Sequence, residues 1–110
     1  MLTYRRATPA QEGSFLVLLR EKTGGYLEPT LRAMGMTWNA FAEMVRTVGE
    51  VRAIARGSAT VGFVWIERRD GTLHVHGVAL EPPFRGQGIG TALFRDLEEE
   101  FCASVTAIEL

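Results

Sequence analysis

The segment Arg85-Gly86-Gln87-Gly88-Ile89-Gly90 places three glycines at alternate positions, directly before a helical apolar pattern of Ile89, Leu93, Phe94, Leu97 and Phe101. Glycine there lets a backbone approach a bulky anion closely, because no Cβ stands in the way. At a helix start the first amide N–H groups lack intrahelical partners, and the positive end of the helix dipole adds to their pull. Main-chain donors gathered in this way form a cradle for a pyrophosphate. Arg85 stands at its mouth, where its guanidinium either assists the anion or caps neighbouring backbone. The chemistry on offer is the binding of a phosphorylated ligand through amides rather than lysines.

The elements that must position this loop show as changes of period. Leu2 to Ala7 alternates loosely and predicts a first strand. Thr8-Pro9 is a helix-start pair, with Thr8 as cap, and the helix should run to about Lys22, burying Phe15, Leu16, Leu18 and Leu19 before Gly24-Gly25 stops it. Tyr26 to Gly49 is helical in pattern, interrupted by Pro29 and Gly35, with Thr37 or Asn39 near a start and Trp38, Phe41, Ala42 and Val45 as a packing stripe. From Val51 the period becomes two. Val51–Ala55, Thr60–Glu67 and Leu73–Leu80 read as strands joined by turns at Gly57-Ser58 and Asp70-Gly71, an antiparallel meander. A helix from about Gly88 to Ala103 and a strand Val105–Leu110 complete a single domain over residues 1–110, in the order βαα-βββ-αβ. The fold class is α+β, or mixed α/β.

Composition narrows the partners. Of 110 residues, 46% are hydrophobic and 23% charged, ordinary for one globular core. Twelve basic residues nearly cancel thirteen acidic ones, so a formal charge of −1 points to neither nucleic acid nor an anionic membrane. Arg5-Arg6 and Arg68-Arg69 read as solvated surface charge. The single cysteine, Cys102, excludes an intrachain disulfide and a cysteine-based zinc cluster, which fits a reducing cytoplasm. No apolar run follows the first charges as in a secretory signal, and the longest one, Phe15 to Leu19, is far too short to span a bilayer.

Three readings of the glycine loop compete. A plain turn opening a helix would spend backbone entropy on three glycines without a packing reason. A dinucleotide-binding fingerprint would use Glu109, at the end of the next strand, on a ribose. Thr91 then stands where a third glycine belongs, and a Pro-containing segment separates strand from loop. The third reading is a resemblance. Arg85-Gly86-Gln87-Gly88-Ile89-Gly90 is similar to the Gln/Arg-x-x-Gly-x-Gly/Ala motif of the GNAT superfamily of N-acetyltransferases at every fixed position. Val78-Ala79-Leu80 with Glu81-Pro82, Thr91-Ala92-Leu93-Phe94, and Val61-Gly62-Phe63 on the preceding strand resemble that family's core.

The resemblance implies acetyl-CoA as co-substrate, held where Leu73–Leu80 and the parallel Val105–Leu110 splay apart. The amides of Gly86, Gln87, Gly88, Ile89, Gly90 and Thr91, with Arg85 beside them, would hold the pyrophosphate. Val78 and Leu80 would pair with the pantetheine, and a main-chain N–H near Ala79 or Leu80 would meet the tetrahedral oxyanion. The reaction implied is direct attack of an amine, from a small molecule, an aminoglycoside-like compound or a protein, on the thioester. His74 and His76, the only histidines, lie on the strand beside that thioester, and His74 matches a position where some members carry a glutamate base. Imidazole suits proton transfer near neutral pH, although structural histidines on one strand face would give the same pattern. Glu67 and Glu81 are further base candidates, and a catalytically silent CoA-binding domain is the alternative function.

The pattern departs from the family at its end. Family domains usually continue past this last strand and often carry a tyrosine acid there, whereas this sequence ends at Leu110 and has only Tyr4 and Tyr26. An apolar terminal strand with a free edge leads to the expectation of a homodimer formed near Val105–Leu110.

Overall fold

The computed structural model describes residues 1–23 and 25–109. Strand β1 is Leu2–Arg6, and helix α1 is Pro9–Lys22. Thr8 caps α1 in a reciprocal box: its hydroxyl accepts from the Gln11 amide at 3.2 Å, and the Gln11 side chain accepts from the Thr8 amide at 3.0 Å. Of the expected Gly24-Gly25 stop, Gly24 lies outside the described residues; Gly25 has φ 88°.

Tyr26 to Gly49 forms two helices, not one, α2 (Leu27–Ala33) and α3 (Trp38–Thr47). The order is therefore βααα-βββ-αβ. Gly35, at φ 74°, makes the break. Pro29 does not, because it is the third residue of α2, where a missing N–H removes no intrahelical bond. Thr37 caps α3 by accepting from Ala40 at 3.1 Å.

The remaining strands are β2 (Glu50–Arg56), β3 (Ala59–Arg69), β4 (Thr72–Leu80) and β5 (Ala107–Glu109), and the last helix is α4 (Ile89–Phe101). They form one sheet in the order β1-β2-β3-β4-β5, antiparallel except for the parallel pair β4–β5. Asp70 and Gly71 take φ 53° and 74° at the β3–β4 turn, the left-handed pair that a two-residue hairpin needs. The last strand is shorter than its apolar pattern suggests. Val105 donates to Phe101 O at 3.0 Å, closing the end of α4, and Thr106 donates to Gly71 O at 2.7 Å. Leu110 lies outside the described residues.

Each face of the sheet buries its own cluster. On one, α1, α2 and α3 bring Phe15, Leu31, Phe41 and Val45 against Val51, Phe63, Trp65 and Ala79. On the other, α4 lays Ile89, Leu93 and Leu97 on Ile54, Val64, Ile66, Leu73 and Val75. Each such side chain contributes about 1.5–3 kcal/mol of burial, so α4 is anchored by its apolar face and its N-terminus is fixed relative to β4. Among the described residues no helix is long and apolar enough to cross a membrane.

Candidate functional site

The site begins at an irregularity in β4. Opposite β3 the register runs Trp65↔Gly77 and then Ile66↔Val75, leaving His76 as an extra residue. This bulge turns two consecutive residues to one face. Leu73 and Val75 pack toward α4, whereas Gly77 lies against Phe15 and Leu19 of α1. Beyond the bulge, Val78 and Leu80 return to the α4 face. The apolar parity therefore changes from odd to even across His76-Gly77, and that change is visible in the sequence.

Among the described residues β5 pairs with β4 only at Thr72, Leu73 and His74, and beyond His74 the edge of β4 on the β5 side has no partner among them. The Glu81 amide donates to Val61 O at 2.9 Å, which directs the backbone groups of Glu81 and Ala79 toward β3. Those of Val78 and Leu80 consequently face the open edge. Their carbonyls confirm the direction: Val78 O accepts from Lys22 Nζ at 2.6 Å, and Leu80 O from Arg85 Nε at 3.0 Å. Ala79 has its amide turned into the ladder, whereas those of Val78 and Leu80 are turned away from it. Gly62 makes this geometry possible, since a Cβ there would stand 2.5 Å from Ala79 O and 2.9 Å from Leu80 Cα.

Beyond Leu80 a short 3-10 turn, Pro82–Phe84, leads into the glycine loop. Gly86 and Gly88 both have φ 75°, in the left-handed region that favours glycine. Added Cβ atoms at Gly86, Gly88 and Gly90 would meet nothing within 4 Å. Open space, not packing, surrounds them. Gly88 caps α4 without a side-chain bond, and the first amide to find a backbone acceptor is that of Ala92, on Gly88 O at 3.1 Å. Among the described residues no protein acceptor meets the amides of Gly86 to Thr91. The side chains nearby have other work. Gln87 bridges Pro83 O at 2.9 Å and Arg56 at 3.1 Å, and Arg85 is held on Leu80 O. Arg85 thus braces the turn.

The structure brings the two histidines together on the face toward the helices. Their rings stack at 5.9 Å and 9°, and His76 also lies 4.8 Å from Trp65. Each has a carboxylate: His76 Nε2 is 2.9 Å from Glu67 Oε1, and His74 Nδ1 is 3.4 Å from Glu109 Oε2. The hydrogen bond with His76 holds the Glu67 carboxyl below the usual range, with Arg69 at 3.5 Å adding to it. Glu109 thus sits on a histidine. Glu81 lies beyond the open edge and Tyr26 is exposed. Tyr4 is remote, its hydroxyl donating to Asp96; burial, then Asp96, raise its pKa beyond the usual tyrosine range. Two contributors escaped the sequence reading, Lys22 and the bulge itself.

The mixed sheet with its parallel β4–β5 pair, its bulged β4 and the glycine loop at the start of α4 is the fold that the resemblance to the GNAT superfamily implies. The comparisons with known proteins agree. Residues 16–110 match the model of the acetyltransferase (GNAT) family, and the chain belongs to that family. A possible acetyltransferase from Clostridium difficile 630 superposes with a TM-score of 0.65 at 14% identity, covering 100% of this chain and 78% of that one. A transcriptional regulator from Bacillus halodurans C-125 gives 0.65 at 21% identity, covering 100% and 81%. AAC(6')-Iy, in complex with the bisubstrate analogue CoA-S-monomethyl-acetylneamine, gives 0.60 at 12% identity, covering 98% and 77%. A search of curated proteins finds no match.

Proposed function

We propose that this protein binds acetyl-CoA along the open edge of β4 and transfers the acetyl group to an amine by direct attack. The observation that carries the reading is the run of amides from Gly86 to Thr91, free of protein acceptors at the start of a thirteen-residue helix. A diphosphate placed there gains charge-assisted bonds from consecutive main-chain donors, each contributing about 1.5–3 kcal/mol. The pantetheine arm then runs back along β4 as an added strand, using the groups of Val78 and Leu80 that face the edge. That direction brings the thioester toward the bulge.

Several groups then serve the chemistry. The N–H groups of Val78 and Leu80 are the donors available for the oxyanion. His76 is the foremost base, because it occupies the bulge beside the opening and Glu67 fixes its ring. His74 stacks on it from the end where β5 is paired and is the second candidate. The acceptor would approach over the α1–α3 face, where both rings lie. A small-molecule amine, an aminoglycoside-like compound and a protein amino group all fit this description.

Among the described residues β5 is last in the sheet order, and its outer edge is the surface proposed for pairing with a second copy of the chain. Sedimentation reads this directly: a homodimer is expected, and a monomer at all concentrations would remove it. The functional reading is tested by thiol release from acetyl-CoA with a panel of amines. Amine-dependent release is expected. Tight CoA binding with no turnover on any amine would instead favour a silent CoA-binding domain.

A further inference from the structure

Lys22 is the only lysine among the twelve basic residues of the sequence. Eleven guanidiniums cannot accept an acetyl group under these conditions; one primary side-chain amine can. Its position is specific. It ends α1, whose Phe15 and Leu19 lie against Gly77 of the bulge, and its ammonium donates to Val78 O at 2.6 Å, 56 residues away. That carbonyl belongs to the open edge of β4, beyond the last residue paired with β5. The one lysine is therefore held on the strand edge along which the thioester arm would lie.

We propose that Lys22 is itself an acetyl acceptor, modified in cis by acetyl-CoA bound on the same chain. The inference rests on the cofactor reading above. An arm docking on Val78 displaces the ammonium from the carbonyl, and the four-carbon stem keeps the nitrogen beside the arriving thioester. The exposed ammonium first gives a proton to water or to His76. Its lone pair then attacks the carbonyl carbon, a C–N bond forms, and the C–S bond breaks. The CoA thiolate leaves and takes up a proton. Lysine and acetyl-CoA become acetyl-lysine, CoA thiol and one released proton, with no oxidant or further reactant. Holding the nitrogen near the carbonyl supplies the advantage of an intramolecular reaction.

The test uses the full chain with acetyl-CoA, followed by intact mass and peptide mapping, with CoA binding measured by calorimetry on the same preparation. One acetyl group on Lys22 is expected, appearing at a rate independent of protein concentration. That rate should exceed, by at least about tenfold, those of the urea-unfolded chain and of the Met1 α-amine. Lys22→Arg should lose the modification while still binding CoA. Gly90→Glu, which blocks the cradle, should slow it to the unfolded rate. CoA binding without faster Lys22 modification would overturn the proposal and leave the cofactor reading intact; absence of binding would overturn both. A rate that rises with protein concentration, or one unchanged in Gly90→Glu, would also contradict transfer in cis.

Discussion

His76 Nε2 lies 2.9 Å from Glu67 Oε1, and His76 is the residue that the bulge in β4 leaves unpaired with β3. The strand irregularity thus presents an imidazole, and the neighbouring strand supplies the carboxylate that orients it. If this pair takes the proton from the acceptor ammonium, His76→Ala should lower kcat about 100-fold, within the range for a positioned base. Glu67→Gln should cost less, about tenfold, because the imidazole remains but loses its fixed orientation. CoA affinity should hardly change in either variant. Thiol-release kinetics beside calorimetry separates these effects; an unchanged kcat in His76→Ala would assign the base elsewhere.

The same pair carries a pH signature in stability. The Glu67 carboxyl is held below its ordinary value, through the hydrogen bond with His76 and then the charge of Arg69. A depressed carboxyl contributes stability above its unfolded pKa and loses it as pH falls through the folded value. The difference in Tm between the wild type and Glu67→Gln should therefore be present at pH 6 and shrink toward pH 3. A difference that grows over that acid interval would contradict the assigned direction.

The glycine loop separates conformation from space. Gly90 has no positive φ and nothing within 4 Å of an added Cβ, so Gly90→Ala should fold and bind CoA within a few-fold of the wild type. Gly90→Glu should also fold, since an acidic residue suits a helix start. Its carboxylate competes for the anion cradle, and CoA affinity should fall about 100-fold or more, as expected from losing about 3 kcal/mol. Gly88→Ala differs in kind: at φ 75° it should cost about 1 kcal/mol of stability. Thermal unfolding and calorimetry report the two quantities independently.

Gly62 links the fold to the site. A methyl group there would stand 2.5 Å from Ala79 O, so Gly62→Ala must push β4 away from β3. A loss of about 1–3 kcal/mol is expected, with a weaker CoA complex because Val78 and Leu80 move together with Ala79. Full stability and affinity in urea titration and calorimetry would show that the β3–β4 spacing is not set at this glycine.

What the sequence disclosed follows from how local each feature is. The position of the glycine loop before α4, the Thr8 and Thr37 caps and the Asp70-Gly71 turn depend on neighbours within a few residues, and the structure forms each of them at those positions. The break at Gly35 was harder, because Pro29 offers an equal sequence signal yet is harmless in the first turn of α2. The bulge was written in the parity of Leu73 and Val75 against Val78 and Leu80, but Leu73–Leu80 also reads as one uninterrupted strand. The contact of Lys22 with Val78 depends on how α1 leans on β4, which no periodicity encodes. Val105–Thr106 follow the strand pattern but are taken by the end of α4 and by the β3–β4 turn.

The central claim is that main-chain amides of the loop and the open edge of β4 hold acetyl-CoA. Titration of the isotopically labelled chain with acetyl-CoA, followed amide by amide in nuclear magnetic resonance, tests it most directly. The largest shifts should fall on Gly86, Gly88, Gly90 and Thr91, with a second group at Val78 and Leu80. Shifts confined instead to the groove between α1 and α3, lined by Leu16, Arg20, Trp38 and Ala42, would contradict it.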